Sequence, residues 1–223
     1  YSRWSFDLKT GEMVELMTDT DGILPYMYGV WEDIAVYQTV KTVEGAPEFE
    51  EWIMQQPEGT TSYQYGLQYY KYRVYSKNLK TGEEKTIVDE SENFVWTADP
   101  HMSWGQYVVY QIDRSVYVYD METQTSKKLF THDPGWDFYN YMIQDGHVMV
   151  IGGTEDTCRA WAIDIMDGSV VELDTYGENV VAFSAHYECN GYFVGLLHAS
   201  NNADQYYISK EDYYRSNYDA AFR

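Results

Sequence analysis

The chain has 223 residues, and 15 lysines and arginines against 36 aspartates and glutamates give it a formal net charge of −21. This charge argues against nucleic acid and anionic membrane surfaces as main partners, because both bind through positive charge. Hydrophobic residues make up 44% of the chain and aromatic residues 17%, which excludes a disordered acidic tail. No apolar run approaches the roughly 18 residues of a membrane span.

The first predicted element is a strand, because residues 3–8 alternate polar and apolar side chains, and the sequence begins within it. We therefore expect the natural protein to extend further toward its N-terminus and to carry any targeting signal there. A Lys-Thr-Gly-Glu turn at 9–12 leads into a second short strand at 13–16. Glycine supplies the positive φ that such a turn requires.

This unit of a strand, a tight turn and a second strand recurs along the chain. Its further copies stand at 72–88, 116–130 and 160–173, with a weaker one at 205–212. The residues that begin the turn in these copies are spaced by 42, 44 and 45 residues, and they are Asn78, Asp120, Asp164 and Ser209. Two further strands precede each turn unit, and the apolar runs among them predict strands buried on both faces, at 34–38, 106–111, 147–151 and 192–197.

A four-strand unit repeated every 40–50 residues or so is typical of β-propeller blades. We predict an all-β protein, a β-propeller of four-stranded antiparallel blades, with about 4.5 blades in residues 1–223 as a single propeller domain or part of one. A β-sandwich is the alternative, but it does not require the whole pattern to recur. A ring must close, because an open sheet edge favours aggregation. The start within a strand favours a larger ring of about six to eight blades, completed by the rest of the polypeptide, over a small ring with an incomplete blade.

One blade is longer than the others. The turns at Asp7 and Asn78 are 71 residues apart, and the additional residues fall at about 41–70, between the second and third strands of the blade. Residues 47–56 predict a short helix, because proline stands in its first turn and acidic residues follow. A long loop on a rigid scaffold is usually functional or mobile; the alternative is a lid that covers the channel mouth.

The repeat resembles TolB-type propellers and related WD-like bacterial repeat proteins. The resemblance is carried by residues 100–110, Pro-His-Met-Ser-Trp-Gly-Gln-Tyr-Val-Val-Tyr, and by residues 115–121, Ser-Val-Tyr-Val-Tyr-Asp-Met. It spans roughly residues 1–210 and implies the architecture, since propellers host ligands, partners and enzymes alike. The usual Ser-Pro-Asp-Gly turn of the family is replaced here by Ser103-Trp104-Gly105, and the Asp box of sialidase-type propellers does not occur.

No recognised catalytic motif occurs in the sequence. It contains no Gly-x-Ser-x-Gly segment, no His-Glu-x-x-His, no Cys-x-x-Cys and no phosphate loop. Cys158 and Cys189 fall at opposite ends of neighbouring units, which favours two free thiols over a disulfide. The loops before the first strand of each blade are acidic, and in a propeller they share one face. Their acidic residues indicate either solvated turns or an electronegative funnel that could hold calcium. We predict no other cofactor or metal.

Aromatic and polar side chains on the same loops, and on the insertion, are the candidate binding residues. Exposed rings stack on sugars or anchor a protein partner, although any one of them could instead pack between blades. The segment 132–136, His-Asp-Pro-Gly-Trp, is the strongest candidate for a shaped surface turn. The predicted binding residues are Tyr26, Tyr28, Trp52, Trp96, His101, Asp133, Trp136 and Tyr139.

These features favour a non-catalytic, extracytoplasmic binding module, secreted or on the cell surface, that recognises a protein or a carbohydrate on its loop face. The alternative is the propeller domain of an enzyme whose catalytic part lies partly outside this chain. That enzyme would be a peptidase gated by the propeller or a glycan-cleaving propeller with carboxylates as acid and base. A third interpretation is a purely structural scaffold.

Overall fold

The computed structural model describes residues 2–6, 8–18, 26–91, 103–133, 137–154, 157–176, 180–181, 183–197 and 204–223. These residues form antiparallel sheets in which neighbours along the chain are also neighbours in the sheet. The first sheet has two strands, β1 (Ser2–Phe6) and β2 (Met13–Thr18). The second has four, β3 (Tyr26–Trp31), β4 (Ile34–Thr42), β5 (Tyr70–Asn78) and β6 (Glu84–Ser91).

Two more four-stranded sheets follow the same plan. One contains β7 (Ser103–Trp104), β8 (Tyr107–Ile112), β9 (Ser115–Asp120) and β10 (Thr125–Thr131). The next contains β11 (Asp137–Gln144), β12 (His147–Thr154), β13 (Thr157–Asp164) and β14 (Val170–Leu173). A short ribbon, β15 (Thr175–Tyr176) with β16 (Val180–Val181), leads to a three-stranded sheet of β17 (Phe183–Cys189), β18 (Tyr192–Leu197) and β19 (Gln205–Ser209).

This succession of sheets is that of β-propeller blades, and it confirms the predicted fold class and a content of about four and a half blades. The chain divides into two compact units, residues 1–128 and 129–223, with the boundary inside β10. No helix among the described residues is both long enough and apolar enough to cross a membrane.

The second strand of each blade is buried on both faces, as its apolar sequence predicts. In β4 the consecutive residues from Ala35 to Gln38 are all buried, and so are those from Val108 to Gln111 in β8. In unit 1 the buried residues Ala35, Tyr37 and Tyr75 pack together. In unit 2 a larger core joins the sheet of β11–β14 to the sheet of β17–β19, around Ala162, Phe183, Phe193 and Ile208.

The residue that begins each repeated turn acts through its side chain. Asn78 Oδ1 accepts hydrogen bonds from the backbone N–H groups of Lys80 and Thr81, both at 3.0 Å. Asp120 and Asp164 accept from the equivalent groups in their turns. Asn and Asp are favoured at such places because they can bond their own backbone two and three residues on, which explains their recurrence at the repeat spacing.

The last sheet departs from the plan at the same position. Ser209 Oγ accepts a hydrogen bond from the backbone N–H of Asp212 at 3.1 Å and caps a helix, α3 (Lys210–Tyr214), instead of opening a hairpin. A 3₁₀ turn at Tyr218–Ala220 follows. Phe222 then pairs with Tyr207 as a single β-bridge, in the place that a fourth strand takes in the other sheets. The other two helices, α1 and α2, lie upstream in the insertion between β4 and β5.

The long connection between β4 and β5 carries two helices, α1 (Phe49–Ile53) and α2 (Ser62–Tyr69). α1 lies within the predicted helix 47–56, whereas α2 was not predicted. Trp52 and Tyr65 are buried in this insertion, with ring centroids 5.3 Å apart. The Tyr65 hydroxyl donates a hydrogen bond to the carbonyl of Pro47 at 2.5 Å. The insertion therefore has an aromatic core of its own.

Candidate functional site

The structure describes the side chains of four of the eight predicted binding residues. Trp96, His101 and Trp136 lie outside the described residues, and so does the side chain of Tyr139, whose backbone belongs to β11. Tyr26 is exposed at the start of β3. Two others are buried: the Tyr28 hydroxyl donates a hydrogen bond to Gln38 Oε1, and Trp52 lies in the aromatic core of the insertion. Both rings are therefore packed inside the fold, the alternative considered for each of them.

Asp133 is different, because it lies at a cleft. The cleft has a volume of about 170 Å³ and belongs entirely to unit 2. It is lined by Phe130, Thr131, His132, Asp133, Arg159 and Trp161. The first four are the end of β10 and the start of the connection to β11, and the last two project from β13. This is the end of the sheets from which the connections between blades leave, the end that we call the loop face.

The pairing of β13 with β14 fixes one wall of the cleft. Trp161 stands directly opposite Glu172 in the ladder, and Arg159 is two residues from Trp161 on the same strand. Because side chains alternate along a strand, all three project from one face of the sheet. The guanidinium of Arg159 grips the Glu172 carboxylate with two hydrogen bonds, Nε to Oε1 and Nη2 to Oε2, each 2.7 Å long.

Aromatic rings and a histidine complete the site. The Arg159 guanidinium lies over the Trp161 ring, 5.2 Å from its centroid. The ring of Phe130, in β10, packs against the Trp161 ring with a distance of 5.2 Å between the two centroids. His132 is buried, and its Nδ1 lies 2.9 Å from the backbone carbonyl oxygen of Asp133. Since a carbonyl only accepts, Nδ1 carries the proton in that hydrogen bond.

The charges of the cleft are coupled. The hydrogen bonds from Arg159 lower the pKa of Glu172, and the same bonds, together with the nearby charges of Glu172 and Asp133, raise the pKa of Arg159. Two carboxylates thus face one guanidinium, and the Asp133 residue is exposed at the rim. The cleft therefore combines an aromatic wall with donors, acceptors and an excess of negative charge.

A related arrangement occurs once more in the repeat, in the second sheet. Arg73 lies over the ring of Tyr75, at 4.6 Å, and contacts Glu84 at 3.5 Å. Arg73 and Arg159 both stand five residues before the residue that begins the turn. The recurrence of an Arg-x-aromatic segment at one place of the repeat is a sequence signal that would have singled out Arg159 and Trp161.

Metal ligation and cysteine chemistry do not add to the site. Within the part of the chain that the structure describes, no group of three or more His, Cys, Asp or Glu side chains is placed to hold a metal ion. Cys189 is an exposed free thiol at the end of β17, and the side chain of Cys158 lies outside the described residues.

Comparison with known proteins identifies the fold and no closer relationship. No family model matches the chain, and no curated protein sequence matches it. Among solved structures it is similar to oligogalacturonate lyase from Vibrio parahaemolyticus, with 12% identity, a TM-score of 0.56, and coverage of 94% of this chain and 58% of the lyase. An oligogalacturonate lyase in complex with manganese gives 13% identity, a TM-score of 0.55, and coverage of 94% and 57%.

Two further likenesses are weaker. The β-propeller domain of the Trilobed protease from Pyrococcus furiosus has 13% identity and a TM-score of 0.46, with coverage of 83% of this chain and 55% of that one. TolB from Acinetobacter baumannii has 12% identity and a TM-score of 0.39, with coverage of 65% and 36%. The succession of antiparallel blades confirms the resemblance to TolB-like propellers at the level of the fold. The chain spans a little over half the length of the lyase structures that it matches.

Proposed function

We propose that this chain is a non-catalytic, extracytoplasmic binding module that recognises a carbohydrate in the cleft of its loop face. The observation that carries the proposal is the convergence of the half-buried Phe130 with the polar groups of His132, Asp133 and Arg159 in one opening, beside a Trp161 ring that is 7% exposed. Amphipathic rings offer an apolar surface to the C–H groups of a sugar, and a few fixed polar groups orient its hydroxyls.

The size of the cleft limits the ligand. A volume of about 170 Å³ is smaller than the roughly 300–1,000 Å³ of pockets that enclose a drug-sized ligand. We therefore infer that the cleft holds a single sugar residue, free or at the end of a chain. Binding would involve no cofactor, so we expect the same affinity with calcium as with a chelator.

The proposal is tested by titrating the protein with a panel of monosaccharides and disaccharides, followed by NMR. We expect Thr131→Trp to abolish binding, because the new indole would fill the cleft. Thr125→Trp is the matched control, since Thr125 is also an exposed threonine of β10 but stands at its other end. The proposal is wrong if no saccharide binds, or if the two variants bind alike.

A second candidate function, the docking of a protein partner, is favoured by the insertion. Its aromatic core gives the insertion a defined structure of its own. On its surface Met54 is 79% exposed beside the acidic residues of α1. Exposed apolar side chains on a rigid element suit a protein interface. Once a partner is found, deleting residues 46–62 should abolish its binding while the far-ultraviolet CD spectrum of the sheets is retained; undiminished binding would exclude this role.

The alternative from another class is a glycan-cleaving enzyme. The fold of the oligogalacturonate lyases supports it, and Asp133 and Glu172 supply two carboxylates at the cleft. Glu172 is already engaged by Arg159, however, which leaves it poorly placed as a general base. Incubation with oligogalacturonates, followed by chromatography for shortened products, decides between the two: products would establish the enzyme and refute the non-catalytic module.

A further inference from the structure

The charges around the cleft favour one chemical class of sugar, and this inference rests on the proposed function. Arg159 is the one arginine or lysine among the described residues that line the cleft, and both of the donors on one edge of its guanidinium are taken by Glu172. A bidentate fork of this kind is the usual way in which arginine binds a carboxylate. Because Glu172 occupies that edge, the same edge cannot receive the carboxylate of an acidic sugar.

The negative charge of Asp133 is not neutralised by a positive charge among its described neighbours once Arg159 is paired with Glu172. Arg159 carries one positive charge, while Glu172 and Asp133 carry one negative charge each, so the three groups sum to one negative charge. Asp133 is exposed at the rim, where an incoming ligand meets it. In addition, the whole chain has a formal charge of −21, which attracts cations to a cleft and repels anions.

The aromatic wall acts in the same direction. The negative π-face of a phenylalanine ring attracts an ammonium group, and Phe130 lines this cleft, whereas the Trp161 ring already lies under the Arg159 guanidinium. The carboxylate of an acidic sugar would gain nothing from this ring face, although the C–H groups of that sugar would contact it as those of any sugar do. Charge and ring chemistry at the cleft therefore agree.

We propose that the cleft selects a sugar that carries a protonated amine, such as an aminohexose, over the uncharged sugar of the same size and over an acidic sugar. The amine would lie against the carboxylate of Asp133, and the ring of the sugar would lie on Phe130, beside Trp161. The ligand would thus differ in charge from an oligogalacturonate, the polyanion named for the enzymes that share the fold.

Glucosamine, glucose and glucuronic acid form a matched set of probes, because glucosamine and glucuronic acid each differ from glucose in a single substituent, an amine at C2 or a carboxylate at C6. Titrations followed by NMR should give the tightest binding for glucosamine, by about fivefold over glucose, which is the contribution expected of an exposed ion pair. Glucuronic acid should bind most weakly. The preference for glucosamine should shrink as salt is added.

Two variants test the assignment of charges. Asp133→Asn should remove the preference for glucosamine and leave the affinity for glucose nearly unchanged, whereas Asp219→Asn, an exposed carboxylate of the same unit outside the cleft, should change neither. Glu172→Gln should release the guanidinium and raise the affinity for glucuronic acid. If that variant does not fold, the Asp133 variant and the salt dependence decide.

The outcomes separate the two proposals. If glucose, glucosamine and glucuronic acid bind equally well, the selectivity is wrong while the carbohydrate site stands. If glucuronic acid binds best, the balance of charge is wrong. If none of the three binds and the wider panel of saccharides is also negative, the proposed function itself fails.

Discussion

The contact between Arg159 and Glu172 shows how a single pair of residues depends on strand register. The ladder places Trp161 opposite Glu172, so Arg159 reaches the carboxylate diagonally across the two strands, over the Trp161 ring. The side chains of Arg159 and Glu172 are 42% and 54% exposed. Solvent screens a pair this exposed, so it contributes little to stability. Its main consequence is that Glu172 neutralises Arg159, so the negative charge of Asp133 stays unbalanced at the cleft.

Replacing Glu172 with Gln should lower the free energy of unfolding by less than about 1 kcal/mol at neutral pH. Arg159 lowers the pKa of Glu172 in the folded state, so the folded state binds the proton less tightly than the unfolded state does. The stabilisation is therefore fully present above the unfolded pKa of about 4.3 and is lost as the pH falls through the folded pKa.

Urea unfolding of the protein and of Glu172→Gln, at neutral pH and at about pH 3, measures this dependence. The two proteins should differ at neutral pH and agree in acid. Glu211→Gln is a suitable control, because the pair of Glu211 with Arg215 is more exposed, at 70% and 72%, and its removal should have a smaller effect. A difference that persists unchanged in acid would contradict the assignment.

At the scale of residues, the sequence predicts one side of the candidate site and misses the other. The turn at 132–136 stands out because it joins two strands with charged, aromatic and turn-forming residues, and Asp133 lies at the cleft. Arg159 and Trp161 were not singled out, because they lie in the middle of a strand and reach the cleft only through packing between sheets. The recurrence of the Arg-x-aromatic segment marks the place of both residues in the repeat, but it does not show that they reach a cleft.

The elements themselves are well predicted where local chemistry decides them. The turns of the repeat follow from Asx side chains and glycines, and the structure has them at Asn78, Asp120 and Asp164. α2 escaped prediction because its sequence, Ser-Tyr-Gln-Tyr-Gly-Leu-Gln-Tyr, is rich in aromatic residues that favour strands. Packing of Tyr65 and Tyr69 against Trp52, with ring centroids 5.3 and 6.4 Å away, stabilises the helix, and this contact is not local in sequence.

The β-bulges in β3 and β17, the first strands of their sheets, were likewise not predicted. The register of β3 with β4 shifts between Met27 and Gly29, and that of β17 with β18 shifts between Ala185 and Tyr187. Each shift stands a few residues before the hairpin, so the two sheets share it as a feature of the repeat. A bulge adds one residue and re-aims its neighbours, and sequence alternation does not reveal one additional residue.

Gly29 permits a close approach between sheets, and its replacement by Ala should destabilise unit 1. A Cβ atom there would lie 2.7 Å from the Cβ of Ser103 and 3.2 Å from a methyl group of Val108. Overpacking of this kind typically costs about 1–3 kcal/mol. Urea unfolding should show the loss, and adding Ser103→Gly should recover part of it, because the nearest clashing atom is then gone.

Gly82→Ala is the control for a purely conformational effect. Gly82 has a φ of +74° and no atom within 4 Å of the position of an added Cβ, so its loss, about 1–2 kcal/mol, would come from the backbone alone. Ser103→Gly should not rescue it, while Gly82→Asn should be milder because Asn adopts this conformation. If Ser103→Gly rescued both glycine variants, or neither, the close approach at Gly29 would be refuted.

At the scale of the molecule, the charge of the chain should oppose its own folding. The 36 acidic residues repel one another with only 15 basic residues to balance them, and compaction brings them closer. Raising the ionic strength from about 0.01 M to about 0.15 M shortens the screening length from about 30 Å to about 8 Å. The thermal unfolding midpoint should therefore rise with added sodium chloride.

Differential scanning calorimetry along a sodium chloride series measures this effect. Sucrose at matched osmolality is the control, since it carries no charge. A midpoint that falls, or that stays constant as sodium chloride is added, would show that local ion pairs such as those of Arg159 outweigh the general repulsion.

The way in which the last sheet ends limits how the protein can associate. The backbone N–H and carbonyl of Tyr207 are both satisfied by Phe222, at 2.7 and 2.9 Å, and β19 turns into α3 directly after Ser209. An incoming strand from another molecule would need a row of open hydrogen-bonding groups along that border. The single bridge and the helix interrupt the row, so this border of the sheet is a poor template for fibril growth, even in concentrated solution.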